Sequence, residues 1–274
     1  MPLSVRVLRW YSRSGRRLPW RETRDPYAVL VSEVMLQQTQ VARVIPAFGR
    51  FLRRFPTLAA LASASLGDVL RIWSGLGYNR RARDLYRIAR ANPNGLPKTI
   101  SHLDALPGVG AYTAAAVVCF SRRERVAFAD TNIRRVLGRV LLGRVATARE
   151  AIALDEKHMP HRDADRWHHA LMDIGALYCR NRAPRCTQCP LHLDCAASRV
   201  NESQAVAASP ARRQQPFATS SRRVRGRILA LATAGPVRAE TLASRVGDAR
   251  AGELAVQLVA EGLLVWRGDR YRLP

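Results

Sequence analysis

Residues 106–118 read LPGVGAYTAAAVV. An apolar helical run on each side is interrupted for only four residues, Pro107-Gly108-Val109-Gly110, and Tyr112 falls in the first turn of the second run. Two glycines in so short a turn allow positive φ and a close approach to the backbone. Successive N–H groups at Gly108, Val109 and Gly110, and at the start of the next helix, then point outward as a small anion site. The plain alternative is an αα-hairpin whose glycines only make the turn.

Charge decides between the two. The 274 residues carry 45 Lys+Arg against 21 Asp+Glu, a net charge of +24. Lysine occurs only at Lys98 and Lys157, so 43 of the bases are arginine. An arginine-rich composition accounts for that ratio but not for the scarcity of acids. Such a surplus repels itself unless a polyanion lies against it, and nucleic acid is the default polyanion. The hairpin is then a helix-hairpin-helix gripping a DNA phosphate, a contact that positions without reading sequence.

At 47% hydrophobic and 24% charged, the chain has the composition of a globular protein with a real core. No run of eighteen apolar residues occurs, so no membrane span is expected. The N-terminus lacks the apolar stretch of a signal peptide. The expected place of action is the cytoplasm, at the nucleoid, and the expected state is a monomer.

Helical periodicity runs through residues 1–200, and alternating strand patterns are nearly absent. An all-α domain is expected there, with helices over 25–55 broken at Pro46, over 57–77 with Ser65 as an N-cap, and over 79–92, 101–120, 132–142 and 163–179. Residues 201–221 read as a polar linker. Residues 222–274 read as three short helices and a hairpin turning at Gly268-Asp269, a winged-helix-like domain. Twelve arginines against six acids beyond residue 200 leave +6 there and +18 before it, so the charge sits mostly on the all-α part.

Three groups of residues can carry chemistry. Glu33 sits among Val31, Val34, Met35 and Leu36 on a largely apolar helix. Burial there disfavours the ionised carboxylate and suits it to hold a proton near neutral pH. Asp130 follows a short apolar run and directly precedes a helix, which fits an N-cap or, beside a DNA-gripping hairpin, a catalytic carboxylate. Cys179, Cys186, Cys189 and Cys195 fall within 17 residues, separated by six, two and five. So dense a cluster reads as a metal site, for zinc or for a [4Fe–4S] cluster. The fifth cysteine, Cys119, lies in an apolar run and reads as core.

The pieces LPWR (18–21), SEVMLQQTQV (32–41), GLGY (75–78), LPGVGAYTA (106–114), DTNIRRVLGR (130–139), LMDIGALYC (171–179) and the four-cysteine loop (179–195) stand in the order found in the helix-hairpin-helix DNA glycosylases of the endonuclease III superfamily. Within it the chain most resembles the A/G-specific adenine glycosylases, with Glu33 the discriminating residue. The resemblance implies a two-lobed fold with Glu33 and Asp130 in the cleft, and a [4Fe–4S] cluster in the cysteine loop. It implies double-stranded DNA holding adenine opposite 8-oxoguanine or guanine as substrate. Glu33 would protonate the adenine, Asp130 would stabilise the sugar cation or trap it covalently, and Asn132 and Tyr112 would position Asp130 and the water. Arg21, Gln38, Asp173 and Tyr78 would contact the substrate. The strand-cleaving relatives carry a lysine where this chain has Tyr112, and a tyrosine cannot form their Schiff base, so base removal alone is expected. Two features depart from the family pattern: Asn79 replaces a second tyrosine that wedges beside the opposite base, and the tail is not the usual nucleotide-hydrolase-like domain. A thymine- or uracil-mismatch glycosylase of the same fold, and a non-catalytic DNA-binding regulator with an iron–sulfur cluster, are the alternative readings.

Overall fold

The computed structural model describes residues 1–199 and 217–274. In chain order it contains α1 (Leu3–Ser14), α2 (Pro26–Leu36), α3 (Val41–Arg54), α4 (Leu58–Ala62), α5 (Leu66–Trp73), α6 (Arg80–Ala91), α7 (Ile100–Asp104), α8 (Ala111–Arg122), α9 (Thr131–Leu142), α10 (Ala148–His158), α11 (Ala164–Leu177) and α12 (Ala196–Arg199). After residue 216 come α13 (Ser221–Ala234), β1 (Val237–Arg238), α14 (Ala239–Val246), α15 (Ala251–Ala260), β2 (Val265–Arg267) and β3 (Arg270–Arg272). None of the described helices is long and apolar enough to cross a membrane.

Two compact units form. The first takes Met1–Val29, Lys98–Asp104 and the chain from Gly110 through α12. Its centre is α9 against α11, with Val136, Leu137, Trp167, Leu171 and Ile174 buried. Gly175 allows this approach, because a Cβ there would lie 2.6 Å from the Cβ of Asn132. The second unit takes Leu30–Pro97, Ala105–Val109 and the described chain from Phe217 to Pro274. Phe51, Phe55 and Trp73 meet edge-on at its core, with ring centroids 5.1 and 5.9 Å apart. Burying each such aromatic side chain stabilises the unit by about 1.5–3 kcal/mol.

Local signals account for most boundaries. Ser65 caps α5 by accepting from Asp68 N at 3.0 Å, as its sequence position predicts. The expected break at Pro46 is not there. Pro46 lies inside α3, and the interruption falls at residues 37–40, where Gln38 takes a left-handed φ of 56°. Pro46 and Ala42, the residue whose carbonyl it leaves without an N–H, are both exposed, so water satisfies the lost bond. Three helices, α1, α10 and the short α12, escape the sequence reading, although Thr147 and Glu150 form a full capping box at the start of α10.

The C-terminal elements run helix, strand, helix, helix, hairpin, the order of a winged helix, in a three-stranded antiparallel sheet ordered β1-β3-β2. The hairpin turns at Gly268-Asp269, as expected; the short β1 is an addition that the sequence pattern does not show. Of the expected linker, residues 201–216 lie outside the described residues, and Ser220 precedes α13. The tail's last carbonyl, of Pro274, accepts from Gly67 N at 3.1 Å on α5. A Cβ on Gly67 would stand 2.6 Å from that oxygen. Gly67→Ala is therefore expected to destabilise the protein by about 1–3 kcal/mol through overpacking, read from the urea midpoint.

Candidate active site

In the second unit, Glu33 is 7% exposed on α2, among buried Val31, Val34 and Met35. The end of this helix is held by Arg81, which α6 turns inward. Its Nη1 donates to the carbonyls of Val34 (2.8 Å), Met35 (3.0 Å) and Gln37, and its Nη2 donates to Gly77 O (3.0 Å) and Thr39 Oγ1 (3.2 Å). These include carbonyls that a helix C-terminus leaves without internal partners. The guanidinium lies over the rings of Trp73 and Tyr78 at 5.4 and 5.3 Å. Burial lowers its pKa to about 10, which leaves it a cation at neutral pH.

Arg81 thereby fixes two strained loops. Gln38 has φ 56° and Tyr78 φ 49°, both in the left-handed region that non-glycine residues avoid. Such strain persists only where the surroundings over-determine it, and it gathers at functional sites. Gln37 Nε2 reaches Gly108 O at 3.5 Å, and Tyr78 Oη accepts from Arg222 Nη1 at 2.6 Å.

Of the two hairpin glycines only Gly108 takes the positive φ the sequence suggests; Gly110 is extended, with φ −118°. Gly108 has φ +75°, and Val109 N donates to Leu106 O at 3.1 Å to close the turn. A Cβ on Gly108 would also crowd Asp84 at 3.3 Å. Gly108 and Gly110 are exposed, Val109 is buried, and Gly110 caps α8.

In the first unit, Asp130 is both the N-cap of α9 and the centre of a polar chain. Oδ1 accepts from Asn132 N (2.8 Å) and Ile133 N (2.7 Å), and Oδ2 accepts from Asn132 Nδ2 (2.7 Å). Asn132 Oδ1 in turn accepts from Arg135 Nη2 at 2.7 Å, and Arg135 also donates to the carbonyls of Thr131, Gly175 and Cys179. The segment entering Asp130 is pinned from behind. Phe128 N donates to Asp155 Oδ2 at 3.1 Å, and the fully buried Asp155 also takes Trp167 Nε1 (2.7 Å) and His168 Nε2 (2.8 Å). The Phe128 ring stacks on His168 at 4.0 Å and meets the Tyr112 ring edge-on at 5.5 Å.

Arg21 and Asp173 form a bidentate pair, both bonds 2.8 Å, and Arg16 adds its backbone N at 2.8 Å and Nε at 2.7 Å. Burial by itself would raise the Asp173 carboxyl; Arg21 and Arg16 outweigh it and hold the pKa below its ordinary value.

Cys179, Cys186, Cys189 and Cys195 all line one small cavity, walled also by Val136, Ile174 and Leu191. Burial pushes the Cys189 thiol up to about 12, with the neighbouring thiols adding to the effect. Arg139 stands at the rim with Nη1 3.7 Å from Cys179 Sγ, while its Nε and Nη2 are buried with no hydrogen-bond partner among the described residues. No three His, Cys, Asp or Glu side chains of the described residues are grouped as they would be around a single metal ion.

The sequence-predicted residues thus divide. Asp130, Asn132, Tyr112, Arg21, Asp173 and the cysteines belong to the first unit; Glu33, Gln38 and Tyr78 belong to the second. Arg81, Arg135 and Asp155 escape the sequence reading. Nothing in the pattern sets either arginine apart from its neighbours on the same helix, and the Thr147–Glu150 capping box is a local signal for the helix that carries Asp155.

A profile described as HhH-GPD superfamily base excision DNA repair protein matches residues 31–158. A Mycobacterium tuberculosis protein named adenine DNA glycosylase is 42% identical over 283 residues, covering 98% of this chain and 92% of that protein. The adenine DNA glycosylase of Mycolicibacterium smegmatis is 40% identical over 82% of this chain and 78% of its own length. The human protein of that name is 39% identical over 73% of this chain and 40% of its own length. Among solved structures, a thermostable thymine-DNA glycosylase superposes with TM-score 0.65 at 26% identity, covering 72% of this chain and 94% of that one. An endonuclease III–DNA complex superposes with TM-score 0.62 at 23% identity, covering 72% and 93%.

Asp173→Asn leaves Arg21 and Arg16 facing a neutral amide in a buried position. The expected loss is about 3–5 kcal/mol, read by urea denaturation at pH 7. Because the folded pKa of Asp173 is depressed, its contribution is complete above the ordinary Asp value near pH ~4 and is lost as pH falls through the folded value. The gap between parent and variant should therefore narrow in acid.

Proposed function

The chain belongs to the HhH-GPD superfamily of base excision DNA repair proteins, alongside the adenine DNA glycosylases, and from that premise we propose that it is a monofunctional glycosylase removing adenine mispaired with 8-oxoguanine or guanine in double-stranded DNA. The observation that carries the reading is the 42% identity to an adenine DNA glycosylase across 98% of the chain. The buried carboxylate on α2 and the three-bonded carboxylate at the start of α9 support it. The protein is proposed to work as a monomer in the cytoplasm, at the nucleoid.

The target nucleotide is rotated out of the duplex. Glu33 donates a proton to adenine N7, the N-glycosidic bond breaks, and its electron pair leaves with the base. The sugar becomes an oxocarbenium-like cation. Asp130, held by Asn132, faces that cation with its negative charge until water adds at C1′ and loses a proton, giving free adenine and an abasic site. Tyr112 and Asn132 position the acid and the water. Tyr112 brings no amine, and Lys98 and Lys157 lie outside the motifs, so the sugar–phosphate chain stays intact. Gly108 and Gly110 take a phosphate with backbone N–H groups, while that of the expected third donor, Val109, is committed to Leu106 O in the turn. Arg21, Gln38, Asp173 and Tyr78 serve the substrate, Arg21 and Asp173 through the buried pair and Gln38 and Tyr78 from their strained loops.

Cys179, Cys186, Cys189 and Cys195 are proposed to hold a [4Fe–4S] cluster. The donor set fits: four thiols share one cavity, and the orphaned Arg139 donors suit a negatively charged occupant. When bound, the cluster ties four points of the loop to one rigid centre. Arg135 then joins the Cys179 carbonyl to Asn132, and so to Asp130.

Single-turnover base release tests the function on duplexes that differ only in the pair: A opposite 8-oxoguanine, A opposite G, A opposite C, and T opposite G. Adenine is expected to be released, with strand breaks appearing only after alkali. Glu33→Gln should slow release by about 10²–10⁴, and Asp130→Asn should slow it strongly while duplex binding persists. Release of thymine with adenine untouched would move the protein to the thymine branch.

A further inference from the structure

Within the second unit, α13 and the loop leading into α6 border a groove of about 1130 Å³. Arg80, Arg222, Arg223 and Arg227 are among the arginines that line it, Gln38 and Tyr78 of the strained loops line it too, and Glu261 is the one acid among the described residues that do. Glu261 is already engaged. Arg80 reaches it through Nε and Nη2 at 2.8 and 2.6 Å, and Arg225 adds a third bond. Those contacts, with Arg80's the strongest, hold Glu261 down to about 2 against the effect of burial. Asp248, whose carboxyl feels the field of Arg223, is itself gripped by Arg250 at 2.8 and 2.9 Å. The arginines beyond these pairs repel one another until a polyanion lies between them.

A second observation comes from a residue with no charge. Gly226 sits mid-helix in α13, exposed on the same groove wall. Glycine disfavours a helix interior. A Cβ there would meet nothing within 4 Å, and its φ lies outside the range that calls for glycine. The fold itself therefore makes no demand for the missing side chain. The bare backbone it leaves on the groove wall is open to close approach from outside the fold.

The geometry points to the α13 wall of this groove as a sequence-independent extension of the DNA grip beyond Gln38 and Tyr78: Arg223 and Arg227, one helical turn apart, take phosphodiester oxygens, and Gly226 lets the sugar–phosphate backbone lie against α13. Guanidinium groups and a bare helix wall meet charge and backbone, not base edges, so this wall adds affinity rather than choice of base. Arg222 does a different job, since it is bonded to Tyr78. The inference rests on the reading that this chain works on DNA.

The test uses the full chain and a fluorescent undamaged duplex, with Kd measured across a salt series. The Arg223→Ala/Arg227→Ala double variant is expected to lower the slope of log Kd against log salt by about 2 and to weaken binding at least tenfold at low salt. Gly226→Leu carries the helix-favouring residue into the groove. It should keep or raise Tm while also weakening binding about tenfold, opposite directions that misfolding does not produce. An unchanged slope in the double variant, or parental affinity in Gly226→Leu, overturns the proposal. Undamaged DNA releases no base, so the result stands apart from whether adenine is excised.

Discussion

The buried guanidinium of Arg81 is the fixed point of the second unit. A cation removed from water needs its donors met, and here they are met by carbonyls of the α2 terminus and of the loop before α6. One side chain thus sets where the helix of Glu33 ends, and it holds Gln38 and Tyr78 in backbone conformations they would not otherwise keep. The loops are strained because they are anchored, and their anchor lies in the core rather than at the surface. An ammonium in its place would bring three donors without the planar spread that lets Arg81 serve both loops at once.

The first unit has the complementary arrangement, built on carboxylates. Asp173 gathers Arg16 and Arg21, and Asp155 gathers Trp167, His168 and the Phe128 amide. Both acids bear on the environment of Asp130 without touching it. Asp155 holds the backbone two residues upstream. Asp173 lies on α11, whose Gly175 lets α9 approach until Asn132 is in contact. In a chain with 21 acids and 45 bases, Asp155 and Asp173 are each committed to several donors. That commitment leaves a surplus of arginine facing solvent, the raw material for binding a polyanion.

Much of this was legible in the sequence. The Gly108–Gly110 turn, the Ser65 and Asp130 caps, the four-cysteine loop, the helical domain and the hairpin at Gly268-Asp269 rest on local rules, which depend on neighbours a few residues away. Pro46 was misread for the opposite reason. A proline inside a helical pattern signals a break only if the freed carbonyl must be paired by protein, and Ala42 faces water. Arg81 and Arg135 were invisible because a basic helix looks the same whether one of its arginines points to solvent or to core.

The sequence by itself determined the class of fold, the tight Gly108–Gly110 turn, the presence of two unusual carboxylates and the absence of an amine at Tyr112. These are facts of residue identity and of spacing along a helix. Only the tertiary structure decided which arginines are buried, that Asp130 is braced by Asn132, Arg135 and Asp155, and that α13 and the α6 loop share one arginine-lined groove. Each of those includes donors and acceptors far apart in the chain, such as Phe128 and Asp155, 27 residues apart, and Arg80 and Glu261, 181 apart. No local pattern encodes a partner at that distance; packing selects it, because a buried charge keeps its place only where its polar partners converge.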